Sequence, residues 1–179
     1  MGVVSVISRR YTTRAAAVVL AAAAITAATA GSADAAAPYL TSGKKICLTN
    51  SSNVCLSISG STIFTDISSN SPTWTVSSQG TYYLPYSPIG SYNSYYIKAG
   101  NGKCIGLSSD LTTAVLASCG SNGTVWIWAT FQDGQYLVSR YFLDHHDGEQ
   151  VLGQGGTGYG WTIYVVPTTA GYWVQWSNV

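Results

Sequence analysis

The stretch that decides the fold covers residues 95–129 and reads YYIKAGNGKCIGLSSDLTTAVLASCGSNGTVWIWA. Three clusters of turn-forming residues, rich in glycine, serine and asparagine, divide it into short apolar runs. There are four such runs, at residues 95–99, 103–107, 113–119 and 124–129. Runs of this length that are rich in valine, isoleucine, tyrosine, tryptophan and threonine predict β-strands. The stretch therefore predicts a unit of four strands.

The same unit recurs on both sides of this stretch when the copies are aligned on a late tryptophan. That position is taken by Trp74, Trp126 and Trp161. The second strand of each copy then has a related pattern, at residues 55–58, 104–107 and 142–145. Recurrence in register is the signature of a repeat architecture. We predict repeats at about 40–77, 94–130 and 135–166, with the three tryptophans as equivalent buried residues of one core.

The segments between and after the repeats complete an all-β prediction. Residues 77–93 are rich in tyrosine and serine, and we interpret them as a loop folded onto the barrel rim or as a tyrosine-rich contact surface. Residues 172–176 alternate and predict a closing strand that pairs near residues 38–40, which removes exposed strand edges. No stretch after residue 35 has helical periodicity. We predict about twelve strands in three pseudo-repeats.

Residues 1–35 have the features of a secretory signal peptide. A segment with three arginines precedes an alanine-dominated apolar run at 15–30, and residues 33–35 form a small-x-small cleavage site. The run is short for a bilayer, which needs about 20 apolar residues. The paired arginines at 9 and 10 leave a twin-arginine signal as an alternative to the general export pathway. We expect a secreted protein with no membrane association after cleavage.

The remaining residues, 36–179, have the length of one domain with a sizeable core. They carry five basic and six acidic side chains. A nucleic-acid-binding domain needs a basic footprint, which this composition lacks. Low charge combined with many aromatic residues favours a neutral, hydroxyl-rich ligand.

The four cysteines are disulfide candidates because export leads to an oxidising environment. Cys47 and Cys55 flank a short hairpin, and their even separation of eight places both on one face of facing strands. Cys104 and Cys119 lie on the second and third strands of the central unit. We predict these two local pairs. A structural metal site is the alternative, although the chain has no CxxC motif.

The triplicated pattern resembles the ricin B-type β-trefoil lectins over nearly all of residues 40–166. The segment 102–105, Gly-Lys-Cys-Ile, is similar to the family's Gly-Lys-Cys-Leu. The segment 143–151 is similar to the Leu-Asp…Asp-Gly…Val pattern of the actinohivin-type trefoil lectins. The resemblance implies a β-trefoil, which is a closed six-stranded barrel capped by hairpins. It also implies non-catalytic carbohydrate binding without a cofactor.

Two family motifs are changed in this chain. The glutamines of the family's Gln-x-Trp motif are replaced by Pro72, Thr124 and Tyr159. The family's sugar-holding acid directly follows the leucine of the second strand, and the corresponding positions hold Ser57, Gly106 and Asp144. The resemblance therefore assigns a sugar site to the third repeat alone.

Strand alternation through residues 143–146 predicts that Leu143 and His145 face the core and that Asp144 and His146 face outward. An outward carboxylate can accept two sugar hydroxyls in charge-assisted hydrogen bonds. A histidine or tyrosine ring can cover the apolar face of a pyranose. A calcium or zinc site and a solvated polar hairpin are the alternatives. The predicted carbohydrate-binding residues are Asp144, His146, Asp147, Gln150 and Tyr159.

Catalysis has little support in the sequence. Glycoside hydrolysis needs two carboxylates across a cleft, about 5–10 Å apart, whereas Asp144 and Glu149 are predicted on one hairpin. We therefore expect a monomeric, non-catalytic domain with neutral oligo- or polysaccharides as partners. The alternative is a secreted protease inhibitor or protein-interaction trefoil that uses residues 77–93.

Overall fold

The structure, a computed structural model, describes residues 39–84, 90–131, 134–146, 148–156, 158–167 and 175–179. All of them lie in one compact unit that spans Asp34–Val179. The predicted signal peptide, residues 1–35, lies outside the described residues. Within them, none of the helical residues forms a segment long and apolar enough to cross a bilayer.

The described residues form twelve strands and one short helix. In chain order these are β1 (Ile46–Leu48), β2 (Ser51–Ser59), β3 (Thr62–Ile67), β4 (Thr75–Leu84), β5 (Gly90–Lys98), β6 (Cys104–Leu107), β7 (Ala114–Ala117), β8 (Trp126–Phe131), β9 (Gly134–Ser139), α1 (Arg140–His145), β10 (Gln150–Gly153), β11 (Tyr164–Pro167) and β12 (Trp176–Asn178). The strands join one curled antiparallel sheet, so the all-β prediction is confirmed. The four runs of the central stretch become β5 to β8, because turn residues separate them at the predicted places.

The strands pair in a pattern that repeats every four elements. The second and third strand of each set form a hairpin, as β2–β3, β6–β7 and β10–β11. The fourth strand of one set pairs with the first strand of the next, as β4–β5 and β8–β9. The last strand, β12, pairs with the first, β1. The pairing of the last strand with the first thus corresponds to the β4–β5 and β8–β9 pairings between neighbouring sets.

The last described strand, Trp176–Asn178, pairs with Ile46–Leu48. The predicted partner of the closing strand is the segment 38–40, of which residue 38 lies outside the described residues. All three residues of β1 are completely buried, so this strand needs a neighbour on each side, and β2 and β12 supply them. Only residues 175 and 176 of the predicted closing strand 172–176 are described.

The three hairpins also contact one another through their backbones. Thr62 of β3 pairs with Val115 of β7. Phe64 of β3 bridges to Thr162, which precedes β11. The backbone amide of Val165 in β11 donates to the carbonyl of Thr112, at 2.8 Å. Each hairpin therefore touches the other two.

Three buried tryptophans occupy equivalent places in the core, and Trp161 is not one of them. Trp74 directly precedes β4, Trp126 begins β8 and Trp176 begins β12, and none is more than 1% exposed. Two of the indoles bond alike: Trp126 Nε1 donates to the Ile105 carbonyl and Trp176 Nε1 to the Leu152 carbonyl, both at 2.9 Å. Trp161 is 44% exposed, so the prediction that it is buried is wrong.

The helix α1 explains the error in the third repeat. The predicted second strand, 142–145, is helical, and the second strand of the third set is Gln150–Gly153. Tyr141 and Phe142 pack against the buried core, and Arg140 pairs with Asp144 one turn later at 3.1 Å. Six residues are too few to produce a visible helical period, which is why the sequence predicted no helix.

Both predicted disulfides are present. Cys47 and Cys55 are direct partners in the β1–β2 ladder and are bonded to each other. Cys104 in β6 is bonded to Cys119, which follows β7. Each bond joins two neighbouring segments of one four-strand set.

The tyrosine-rich segment 77–93 belongs mostly to a long hairpin formed by β4 and β5, with residues 85–89 outside the description. Tyr82, Leu84 and Tyr92 of this hairpin pack on a second buried cluster. That cluster is made of side chains from β8, β9, β10 and β11: Ile127, Ala129, Tyr136, Val138, Val151 and Val166. Tyr82 and Tyr92 are thus partly buried, whereas Tyr83 is 60% exposed, and Tyr86 lies outside the described residues.

Candidate functional site

Asp144 lies on α1, and its carboxylate accepts hydrogen bonds from two neighbouring side chains. Its Oδ1 accepts a hydrogen bond from the Tyr82 hydroxyl at 2.7 Å, and its Oδ2 accepts one from Arg140 Nε at 3.1 Å. The Arg140 guanidinium also lies 5.2 Å from the centre of the Tyr82 ring. A carboxylate has about four acceptor positions, so two are already occupied. Asp144 therefore joins α1 to the long β4–β5 hairpin.

His145 is the last residue of α1 and His146 follows it, and both are exposed. The His145 ring stacks on Tyr141, with centroids 4.5 Å apart and an interplanar angle of 18°. The His146 ring lies 5.1 Å from Phe142. The prediction that His145 is a buried core residue is wrong, because these residues follow helical and not strand geometry.

The other predicted site residues are distributed over different elements. Gln150 begins β10, where its backbone pairs opposite Pro167. Tyr159 lies on the connection between β10 and β11 and is 65% exposed. Asp147 lies outside the described residues. The described members of the predicted set thus occupy α1, β10 and the β10–β11 connection.

The strand register shows which residue of the third set corresponds to Gly106 of the second. Leu152 matches Ile105, because each accepts the indole hydrogen bond of a core tryptophan. The residue after each is then Gly153 and Gly106. A Cβ on Gly106 would lie 2.9 Å from Thr124 Cγ2, so no side chain fits there without a shift. The position directly after the second-strand leucine therefore carries no carboxylate in any set, since the first has Ser57.

A pair of exposed aromatic residues marks a different place in the third set. Tyr159 is 65% exposed and Trp161 44% exposed, two residues apart on the β10–β11 connection. Thr65 in β3 holds this backbone: its amide donates to the Trp161 carbonyl at 2.9 Å, and its carbonyl accepts from the Gly160 amide at 2.5 Å. The rings are therefore presented on a backbone that is fixed by hydrogen bonds.

The Trp161 ring lies against a glycine-rich backbone, and the buried side-chain amide of Gln154 is hydrogen-bonded to that backbone. A Cβ on Gly156 would lie 2.7 Å from Trp161 Cε2, so only glycine lets the ring lie against this backbone. Gln154 is completely buried, and its Nε2 donates to the carbonyls of Gly156 and Gly158. Its Oε1 has no partner among the described residues. The sequence analysis singled out Tyr159 but not Gly156 or Gln154, and it predicted Trp161 to be buried. The available signal was the combination of dense glycines with two aromatics in 153–161.

No ready metal site is visible in the part of the chain that the structure describes. No three His, Cys, Asp or Glu side chains come together there as potential ligands. The exposed rings, the backbone carbonyls and amides, and the tyrosine hydroxyl of the β10–β11 connection suit contact with an uncharged ligand better than with an ion.

Glu149, between α1 and β10, is half-buried, and its burial raises the pKa of the carboxyl from 4.5 to about 7. Burial also raises the pKa of Tyr92, with a smaller contribution from the Glu149 carboxylate. Because the folded state keeps a proton that the unfolded chain releases above pH 4.5, stability falls as the pH rises from about 4.5 through about 7. Above about pH 7 this loss of stability is complete and no longer changes with pH.

We expect Glu149→Gln to remove this fall. Between pH 4.5 and pH 8, the wild type should lose about 1 kcal/mol more unfolding free energy than the variant does. This value is reduced for solvent screening, because the Glu149 carboxyl is half-exposed. Urea unfolding of both proteins across this range measures it. Parallel curves for the two proteins would contradict the assignment.

No protein-family model matches the chain, and no curated protein matches it significantly.

Proposed function

We propose that residues 36–179 form a β-trefoil, with a closed six-stranded barrel capped by three hairpins. The proposal is supported by the pairing of β12 with β1 and of β5 with β8. It is also supported by the bridge between Lys44 and Trp74, which joins the first set's opening and closing segments. The mutual contacts of the three hairpins agree with the cap of such a fold.

We propose that this protein is a secreted, non-catalytic domain that binds neutral carbohydrate weakly through its third set of strands. The observation that carries the proposal is the exposed pair Tyr159 and Trp161 on a hydrogen-bonded, glycine-rich connection. Aromatic rings combine a large apolar face with a polar edge, which matches a pyranose that has one C–H face and a rim of hydroxyls. Secretion is supported by the two disulfides, which are typical of extracellular proteins.

In this proposal each residue of the site has a role. Trp161 offers its indole face to the apolar side of a sugar ring, and the Tyr159 hydroxyl and nearby backbone groups exchange hydrogen bonds with its rim. Gln154 acts from beneath, since its amide holds the Gly156 and Gly158 carbonyls in place. A preformed loop loses little conformational entropy on binding. Asp144 is not needed in this scheme.

The expected affinity is low, because one exposed platform offers a shallow site with few hydrogen bonds. We expect dissociation constants from roughly millimolar to high micromolar, or about −4 to −6 kcal/mol. Such values suit repeated binding to a polysaccharide, where many copies of the ligand lie along one chain.

Trp161→Ala should weaken glycan binding at least tenfold, because it removes the stacking surface. Gly156→Ala should weaken it similarly, since its Cβ would displace the indole that lies 2.7 Å away. Gly158→Ala is the matched control, because its Cβ would meet Trp161 Nε1 only at an ordinary 3.8 Å. Wild type and the three variants are compared on a glycan array and by titration with the best sugar.

The outcome separates the proposed function from its alternative. Equal binding by wild type, Trp161→Ala and Gly156→Ala would move the site away from the β10–β11 connection. Failure of the wild type to bind any glycan would favour the second candidate, a protease inhibitor or protein-interaction trefoil. That candidate has one specific observation in its favour, which is Tyr83, 60% exposed on β4. A protease-inhibition screen of the same preparation tests it.

A further inference from the structure

A groove with both polar and apolar lining residues lies outside the aromatic connection, between the turns around β7 and the helix α1. Its larger part has a volume of about 510 Å³ and is lined by Ser108 and Leu111 of the β6–β7 turn, by Asn122, and by Tyr141 of α1. A smaller adjoining part of about 180 Å³ shares Asn122 and Tyr141. Volumes of a few hundred Å³ are typical of small-molecule sites. None of the lining residues belongs to the β10–β11 connection.

The wall formed by the β6–β7 turn is held rigidly. The Ser108 hydroxyl donates to Asp110 Oδ1 at 2.5 Å, and the Thr112 amide donates to the same oxygen at 3.1 Å. These hydrogen bonds, that of Ser108 first, lower the pKa of the Asp110 carboxyl, so it remains ionised at neutral pH. Leu111 has a φ of 61°, which is unfavourable for a leucine. Backbone strain of this kind concentrates at functional sites.

The wall formed by α1 is fixed by contacts already described. Asp144 receives hydrogen bonds from Arg140 of its own helix and Tyr82 of the long hairpin. In the smaller part, the side chains of Asp144 and Arg140 are paired with each other. His145 also lines this part, where its ring stacks on Tyr141. The groove therefore offers a ligand hydroxyls, one carboxamide, two stacked rings and several apolar side chains, with no net charge from the Asp144–Arg140 pair.

We propose that this groove is a second carbohydrate subsite, which takes a segment of a neutral oligosaccharide between the β6–β7 turn and α1. The inference rests on the proposed function and extends it to two sites on one domain. Asn122, exposed and shared by both parts of the groove, donates to and accepts from sugar hydroxyls, and Tyr141 supplies the ring. Two weak sites on one domain raise the apparent affinity for a polysaccharide that can reach both.

The test follows backbone amide signals by NMR while the protein is titrated with neutral hexasaccharides of glucose, mannose, galactose and N-acetylglucosamine. We expect the amides of Ser108, Asn122 and Tyr141 to shift with one of them. Asn122→Ala should weaken the affinity read from these shifts at least tenfold. Asn70→Ala is the matched control, since Asn70 is also an exposed turn asparagine but lies outside the groove.

Each outcome decides between the two proposals. Shifts confined to the β10–β11 connection would overturn the groove subsite and leave the proposed function standing. Groove shifts with a polar peptide mixture but with none of the sugars would also overturn it. No shift anywhere with any sugar would overturn both. If Asn122→Ala unfolds the free protein, Asn122→Ser, which is smaller than asparagine and has a hydroxyl in place of the carboxamide, replaces it with the same expected loss.

Discussion

Replacing Trp176 by alanine is expected to lower the free energy of unfolding by about 3–5 kcal/mol. The side chain is completely buried, and its Nε1 donates to the Leu152 carbonyl at 2.9 Å. Removing the ring leaves a large cavity in the core and also leaves a buried carbonyl without its donor. Urea unfolding of purified wild type and variant, monitored by circular dichroism, measures the difference.

Trp161→Ala is the matched control for this prediction. The same substitution at a residue that is 44% exposed should cost less than about 1 kcal/mol. Trp126→Ala should match Trp176→Ala, because Trp126 makes the corresponding bond to Ile105. If Trp161→Ala were the more destabilising of the two changes, the assignment of Trp176 to the third set of strands would be wrong.

Removing the disulfide of Cys104 and Cys119 by a double change to alanine is expected to cost about 3 kcal/mol. The bond closes a loop with a sequence separation of 15, and opening it gives the unfolded chain more conformational freedom. The closed loop contains the turn with Leu111 and Asp110. Loss of the disulfide should therefore also loosen one wall of the groove. Thermal or urea unfolding under non-reducing conditions gives the stability change.

Ser118→Ala controls for this double variant, since Ser118 is an exposed neighbour of Cys119. It should be within about 0.5 kcal/mol of wild type. Peptide mapping without reduction should find only the links Cys47–Cys55 and Cys104–Cys119. A double variant as stable as wild type, or free thiols in the purified wild-type protein, would contradict the prediction.

Local patterns in the sequence are sufficient for the strands of the central set and for both disulfides. Between residues 95 and 129, turn clusters interrupt apolar runs, and each run becomes a strand because neither property depends on distant residues. Cys47 and Cys55 flank a hairpin, so chain geometry alone brings them together. The all-β class follows from the same local evidence.

The sequence alone only partly determines which residues of the third set correspond to those of the other two sets. Two tryptophans, Trp161 and Trp176, compete for the position that matches Trp126. Trp74, Trp126 and Trp176 are separated by 52 and 50 residues, a near-equal spacing that favours Trp176. The six residues of α1 and the glycine-rich connection, which interrupt the third set, obscured that spacing.

Only the tertiary structure decides which side chains of the third set are exposed. Trp161 and Trp176 are the same residue type. The backbone of Trp161 is hydrogen-bonded to Thr65 on an exposed connection, whereas the indole of Trp176 is buried and donates to the Leu152 carbonyl. Asp144 could not be assigned from its neighbours, because its partner Tyr82 is 62 residues away. Local preference sets where strands form, whereas burial and pairing depend on long-range contacts that no short segment encodes.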